Sequence, residues 1–162
     1  MGSNLRRLVK VGGQPLWSPT GGKIAYLRGK MPNWPALLLV SPQGGKSTTL
    51  IRGAPCPSVG RCRSNGVMAL FGWSPDGKSI AFETSKGKLA LVDVATGKVR
   101  TLLRLNASTA AWSPDSSKLV ANSVPRSQNC AGSFAAKPWL RWSTWRVPVD
   151  GSKPTLISSC TS

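Results

Sequence analysis

One phrase occurs three times in this chain, and the repetition limits its possible folds more than any single residue does. Trp17-Ser18-Pro19-Thr20-Gly21-Gly22-Lys23-Ile24-Ala25-Tyr26 is matched by Trp73-Ser74-Pro75-Asp76-Gly77-Lys78-Ser79-Ile80-Ala81-Phe82 and by Trp112-Ser113-Pro114-Asp115-Ser116-Ser117-Lys118-Leu119-Val120-Ala121. A second phrase follows each copy. It runs from Leu39 to Gly45 and ends in Thr49-Leu50-Ile51, from Leu91 to Gly97 ending in Thr101-Leu102-Leu103, and from Trp145 to Gly151 ending in Thr155-Leu156-Ile157. In the first phrase proline sets φ at the second turn position, aspartate accepts hydrogen bonds from the following amides, and glycine supplies a positive φ. The phrase therefore makes a tight hairpin turn between two short strands.

Each unit reads as four strands, the first ending at the tryptophan; in the middle copy the others are Ile80 to Thr84, Lys88 to Asp93 and Val99 to Arg104. Trp17 to Trp73 is 56 residues and Trp73 to Trp112 is 39. The second spacing is close to the ~40 to 45 residues of a propeller blade, and the first carries an insertion. The expectation is an all-β chain of about three β-propeller blades of four antiparallel strands, at 12–52, 67–105 and 106–158, with insertions at 53–66 and 123–141. Composition agrees with short strands between turns, since 17 Gly and 13 Pro punctuate a chain of 162 residues that is 40% hydrophobic. That apolar content excludes a collagen-like or disordered chain.

The Trp-Ser-Pro-Asp-Gly-Lys-x-Ile-Ala-Phe phrase, followed by Leu-x-Leu-Val-Asp-x-x-x-Gly, resembles the WD-repeat-like propeller repeat of the TolB family, in three copies over residues 12–158 and most fully over 69–105. Similar blades precede the catalytic domain in relatives of prolyl oligopeptidase and dipeptidyl peptidase. The pattern departs at Thr20 for the turn aspartate, at Ser116-Ser117 for glycine, and between Ser123 and Arg141. The resemblance implies an extracytoplasmic protein-binding propeller.

Propellers close with roughly 4 to 8 blades, because fewer leave sheet faces and strand edges open. Three blades imply either an arc of a longer ring or a half-ring completed by a second copy. Asn4 to Lys10 aligns with Val99 to Leu105 when Trp17 is laid on Trp112, so it reads as the fourth strand of a preceding blade. Trp17, Trp73 and Trp112 are expected to pack between blades, and Trp142 and Trp145 to lie on the third strand of the last blade.

A four-stranded meander sorts its connections onto two sides. Lys23, Lys78 and Lys118 recur at the first turn and Lys46, Lys98 and Lys153 at the third, all on the short-turn side; solvated turn positions copied with the repeat account for them. The other side takes the long loops. Cys56, Arg61, Cys62 and Arg63 lie in the first, Arg126, Cys130, Trp139 and Arg141 in the third-blade insertion, and Cys160 follows the last strand. All four cysteines on one side favour Cys56–Cys62 and Cys130–Cys160 disulfides as loop staples, with reduced thiols the alternative. Trp34, Trp139, Arg61, Arg63, Arg126 and Arg141 are the candidate partner contacts, since loops on a rigid scaffold carry binding residues and arginine forks suit carboxylates and phosphates.

The chain has 22 Lys and Arg against 5 Asp and Glu, a formal net charge of +17, so a protein or peptide partner of acidic character is expected, ahead of nucleic acid. It contains no histidine, which removes His-dependent triads and His-ligated metals. A zinc site would need all four thiolates. Gly44-Gly45-Lys46-Ser47 lacks the first glycine of a phosphate loop, Ser85 and Lys88 flank a hairpin, and Asp76 and Asp115 are equivalent turn residues. Asn106-Ala107-Ser108 is a glycosylation sequon of a kind common by chance. No catalytic set survives and no cofactor or metal is expected. Met1 to Lys10 lacks the apolar stretch of a signal peptide, and the longest apolar run, Ala36 to Val40, is too short to span a bilayer.

Overall fold

The computed structural model describes residues 5–29, 33, 35–54, 66–104, 106–124 and 143–158. Twelve strands run in chain order: β1 (Gly13–Trp17), β2 (Ile24–Arg28), β3 (Ala36–Val40), β4 (Thr48–Ile51), β5 (Val67–Trp73), β6 (Ser79–Thr84), β7 (Leu89–Asp93), β8 (Val99–Leu103), β9 (Asn106–Trp112), β10 (Lys118–Val124), β11 (Ser143–Pro148) and β12 (Thr155–Ser158). They form three antiparallel four-stranded sheets, β1–β4, β5–β8 and β9–β12, each in simple meander order. These are three propeller blades. Among the described residues no helix is long and apolar enough to cross a membrane.

Both faces of an inner sheet are buried, which explains the continuous apolar runs. Alternate residues of β6 and β7 separate cleanly. Ile80, Phe82, Ala90 and Val92 join Ala25, Leu27, Leu37 and Leu39 of the first sheet, whereas Ala81, Leu89 and Leu91 join Leu119, Ala121 and Val147 of the third. Full burial of side chains such as Phe82, Ile80 and Leu89 contributes about 1.5–3 kcal/mol each. The fourth strand of each blade also reaches forward: Leu50 and Ile51 pack on the cluster between sheets one and two, Leu102 and Leu103 on that between sheets two and three. The third-to-fourth-strand ladder slips at equivalent places, Leu37/Leu38, Leu89/Ala90 and Thr144/Trp145, so the bulge repeats with the sequence.

The repeated tryptophan fixes one blade against the next. The Trp73 indole N–H donates to the Leu16 carbonyl at 3.1 Å, and that of Trp112 to the Gly72 carbonyl at 3.2 Å. In each case the acceptor is the residue just before the preceding blade's own tryptophan. Side chains add to the seam, with Gln14 Oε1 accepting from Leu70 N and Ser116 Oγ accepting from Asp76 N.

Two expectations change at the N-terminal end. Residues 5–10 form no strand, because no third strand stands beside them among the described residues; instead Leu8 and Val9 pack on Ile24, Tyr26, Leu38 and Val40. Trp17 is 61% exposed, and among the described residues no sheet stands before it to pack on. Trp145 does lie on β11, its indole N–H donating to Ser123 Oγ at 2.9 Å; Trp142 falls outside the described residues.

Replacing Trp73 or Trp112 by Phe keeps most of the ring packing and deletes the indole donor. Each substitution is expected to cost about 1 kcal/mol in urea unfolding. An unchanged midpoint for both would remove the cross-blade bond from the forces that hold the sheets in register.

Candidate binding site

The short turns are built by the residue after each tryptophan. Ser74 Oγ donates to Asp76 Oδ1 at 2.6 Å and accepts from Ser79 N at 2.9 Å; Ser113 Oγ does the same with Asp115, at 2.6 Å, and Lys118 N, at 3.0 Å. Where Thr20 replaces the aspartate, Ser18 Oγ lies 3.2 Å from its hydroxyl and still accepts from Lys23 N. Where Ser116 replaces glycine the turn is retained at φ 60°, a left-handed conformation that the other copies give to Gly21 and Gly77. Val94 N donates to Lys78 O and Val149 N to Ser117 O, which ties the third-to-fourth-strand turn to the first-to-second-strand turn on the same side of the blade.

These turns use up the chain's acidic groups. Asp76, Asp93, Asp115 and Asp150 sit in them, and hydrogen bonds from Ser74, Thr96, Ser113 and Ser152 respectively hold each carboxyl below the ordinary range. Asp115 is held lowest, at about 2, by the Ser113 hydroxyl and then by the Ser117 amide and hydroxyl. The fifth carboxylate, Glu83 on β6, is pushed up by burial. Lys23, Lys46, Lys78, Lys98, Lys118 and Lys153 are all exposed on this side.

Between the first two blades the turns part to leave an open groove of about 590 Å³. Lys23, Ser41, Lys46 and Thr48 line it from the first blade, and Val94, Thr96 and Gly97 from the second. The wall is fixed by its backbone and hydroxyls: Lys23 O accepts from Ser18 N at 2.9 Å, Tyr26 Oη donates to Ser47 Oγ at 2.8 Å, and Thr96 N and Oγ1 both donate to Asp93 Oδ1 at 2.7 Å. A ligand there meets two ammonium groups on flexible stems beside the hydroxyls of Thr48 and Thr49 and the apolar side chains of Leu39, Val40, Leu50 and Val94. That arrangement suits carboxylates or phosphates held as point charges.

The residues singled out in the long loops, Trp34, Arg61, Arg63, Arg126, Trp139 and Arg141, and the cysteines Cys56, Cys62, Cys130 and Cys160, lie outside the described residues. The groove was not legible as a site, because its lysines recur with the repeat like any solvated turn residue. The signal lay in geometry: Lys23 and Lys46 are on neighbouring turns of one blade, facing the gap to the next. Among the described residues no three His, Cys, Asp or Glu side chains come together as a metal site would require.

No model of a known family and no curated protein matches the sequence. Solved structures do match. TolB of Agrobacterium tumefaciens aligns with a TM-score of 0.59 at 22% identity, over 88% of this chain and 44% of that one. The chain folds as a TolB-like β-propeller. TolB of Acinetobacter baumannii gives a TM-score of 0.62 at 19% identity over 91% of this chain and 32% of its own. A prolyl endopeptidase gives 0.62 at 17% identity over 93% of this chain and 22% of its own. The chain thus spans less than half the length of these TolB-like and peptidase neighbours.

The Asp115 turn predicts a pH dependence. A carboxyl held below its ordinary value contributes stability that is complete above that value and is lost as pH falls through the folded-state value, here about 2. Carboxyl-carbon NMR is expected to place the Asp115 midpoint there in the native chain and nearer the ordinary aspartate value of 3.8 in Ser113→Ala. An unmoved midpoint in the variant would mean that the serine does not hold the carboxylate.

Proposed function

We propose that the chain is a non-catalytic propeller scaffold whose basic short-turn side binds an acidic segment of a protein or peptide. The observation that carries this reading is the groove between the first two blades, with Lys23, Lys46 and the hydroxyl residues Ser41, Thr48, Thr49 and Thr96 in its lining. The chain's charge supports it: four of the five carboxylates sit in turns of the second and third blades, and the first-blade turns that carry Lys23 and Lys46 contain none. The lack of histidine supports a binding role over acid–base chemistry. Resemblance to the TolB family adds an extracytoplasmic location to the reading.

A second reading is an accessory propeller segment of a prolyl-oligopeptidase or dipeptidyl-peptidase type serine peptidase. The fold shared with a prolyl endopeptidase over 93% of this chain favours it. Nucleic-acid binding is the third possibility that the charge raises.

Calorimetric titration with a Glu-rich decapeptide separates these. Binding is expected to weaken as salt rises, and Lys23→Ala/Lys46→Ala is expected to lower affinity about tenfold, since each exposed charge contact is worth about 0.5–1 kcal/mol. Equal binding by the double variant would place the acidic ligand elsewhere. A duplex DNA that binds more tightly than the peptide near 0.15 M salt would reverse the order of the protein and polyanion readings.

A further inference from the structure

Each blade has one turn between its third and fourth strands, and an arginine from the preceding element reaches that turn in the first and third blades but not in the second. Arg100 on β8 donates from Nη2 to the Val149 carbonyl of the third blade, and a Cβ on Gly151 would stand 3.3 Å from its Nη1. Arg6 belongs to the segment whose Leu8 and Val9 cover the first sheet, and a Cβ on Gly44 would meet its Nη2 at 2.7 Å. Both glycines hold a positive φ, 95° and 84°, and present no side chain to the guanidinium.

The second blade's turn is met by threonine instead. Ladder register fixes the correspondence: Thr48 pairs with Leu39 as Arg100 pairs with Leu91, while Val40, Val92 and Val147 pair with Ile24, Ile80 and Leu119. Counted from those valines, Thr96 stands where the other turns have Gly44 and Gly151, and Val94 stands where the third has Val149. Amide bonds confirm the second match, since Val94 N donates to Lys78 O as Val149 N donates to Ser117 O. Thr48 is too short to cross to Val94, and Thr48, Val94 and Thr96 all line the groove. The opening therefore lies where the next seam has its arginine latch.

Charge differs between the two seams as well. Ser41 stands where the second blade has Asp93, and each gathers its own turn, accepting from Gln43 N at 3.2 Å and from Thr96 N at 2.7 Å. Thr20 likewise stands for Asp76, so Lys23 and Lys46 lack the carboxylates that accompany Lys78 and Lys98. At the second seam Asp93 and Asp150 occupy the turns on either side of Arg100.

We propose that Thr48 determines which seam takes the acidic segment: it leaves the first seam open, and an arginine at its place closes that seam by reaching the Val94 carbonyl. This rests on the reading of the groove as the acidic-ligand site, and adds the residue that confines the ligand to it.

Calorimetric titration of the full chain with the Glu-rich decapeptide tests this in Thr48→Arg and in Thr48→Gln, which fills the groove without adding charge. Thr48 is exposed and the second blade already carries arginine at the matching place, so circular dichroism is expected to stay native. Charge alone would make Thr48→Arg bind an anionic peptide more tightly. Closure instead weakens binding about tenfold, the loss expected of the Lys23→Ala/Lys46→Ala variant, with a smaller loss in Thr48→Gln. Val99→Arg adds the same charge on an exposed residue of β8 outside the groove, and is expected to bind at least as tightly as the native chain. Native or tighter binding by both Thr48 variants, with the lysine variant still impaired, would overturn the proposal and leave the groove as the site. Binding that ignores Lys23 and Lys46 would overturn the reading of the groove and the proposal with it.

Discussion

The rest of the molecule depends on a single contact between neighbouring sheets: the tryptophan at the end of a first strand reaching back to the carbonyl one residue before the previous tryptophan. A blade with both faces apolar cannot bury itself, so its stability belongs to its seams. Hydrophobic packing alone would let two twisted sheets slide, since it has no direction. The indole bond has one, and it sets the register in which Phe82 and Ile80 meet Leu37 and Leu39 on one side and Ala81 meets Leu119 on the other. The turn serine beside each tryptophan, locked into the hairpin that follows, holds the strand end that presents the indole.

Much of this was legible in sequence because the repeat encodes it locally. Proline, aspartate and glycine at fixed places dictate the hairpin wherever they occur, and even the departures kept to the plan: Ser116 accepts a left-handed φ, and Thr20 answers Ser18 in place of aspartate. The four-strand meander followed, with strand ends displaced by about one residue. What a repeat cannot convey is which copies have neighbours. Trp17 has the same surroundings in sequence as Trp73, and only the arrangement of sheets shows that one is exposed and the other spans a seam. The same blindness hid the groove, for Lys23 and Lys78 occupy matching turns, and only Lys23 lines the opening between the first two blades.

The two ends of the arc are unequal, and the inequality is chemical. At the front of the first sheet a non-strand segment shields four apolar residues, so little greasy surface is left there apart from Trp17 and the stretch leading to it. At the back of the third, polar side chains replace part of the apolar set, leaving Val120, Leu156 and Ile157 among hydrogen-bonding neighbours.

Charge completes the connection between fold and surface. A hairpin turn of this type needs an acceptor to gather the following amides, and in four of the six short turns that acceptor is aspartate, hydrogen-bonded to serine or threonine with its carboxyl held below the ordinary range. The carboxylates are thereby fixed close to the backbone, while the lysines of the same turns extend from it on long stems. A short acid and a long base at one turn cancel from afar but not at close range, where an approaching ligand meets the ammonium groups first. The first-blade turns carry Lys23 and Lys46 with no carboxylate of their own, Thr20 standing where the other copies have aspartate, so the groove they line is where the short-turn side is least neutralised.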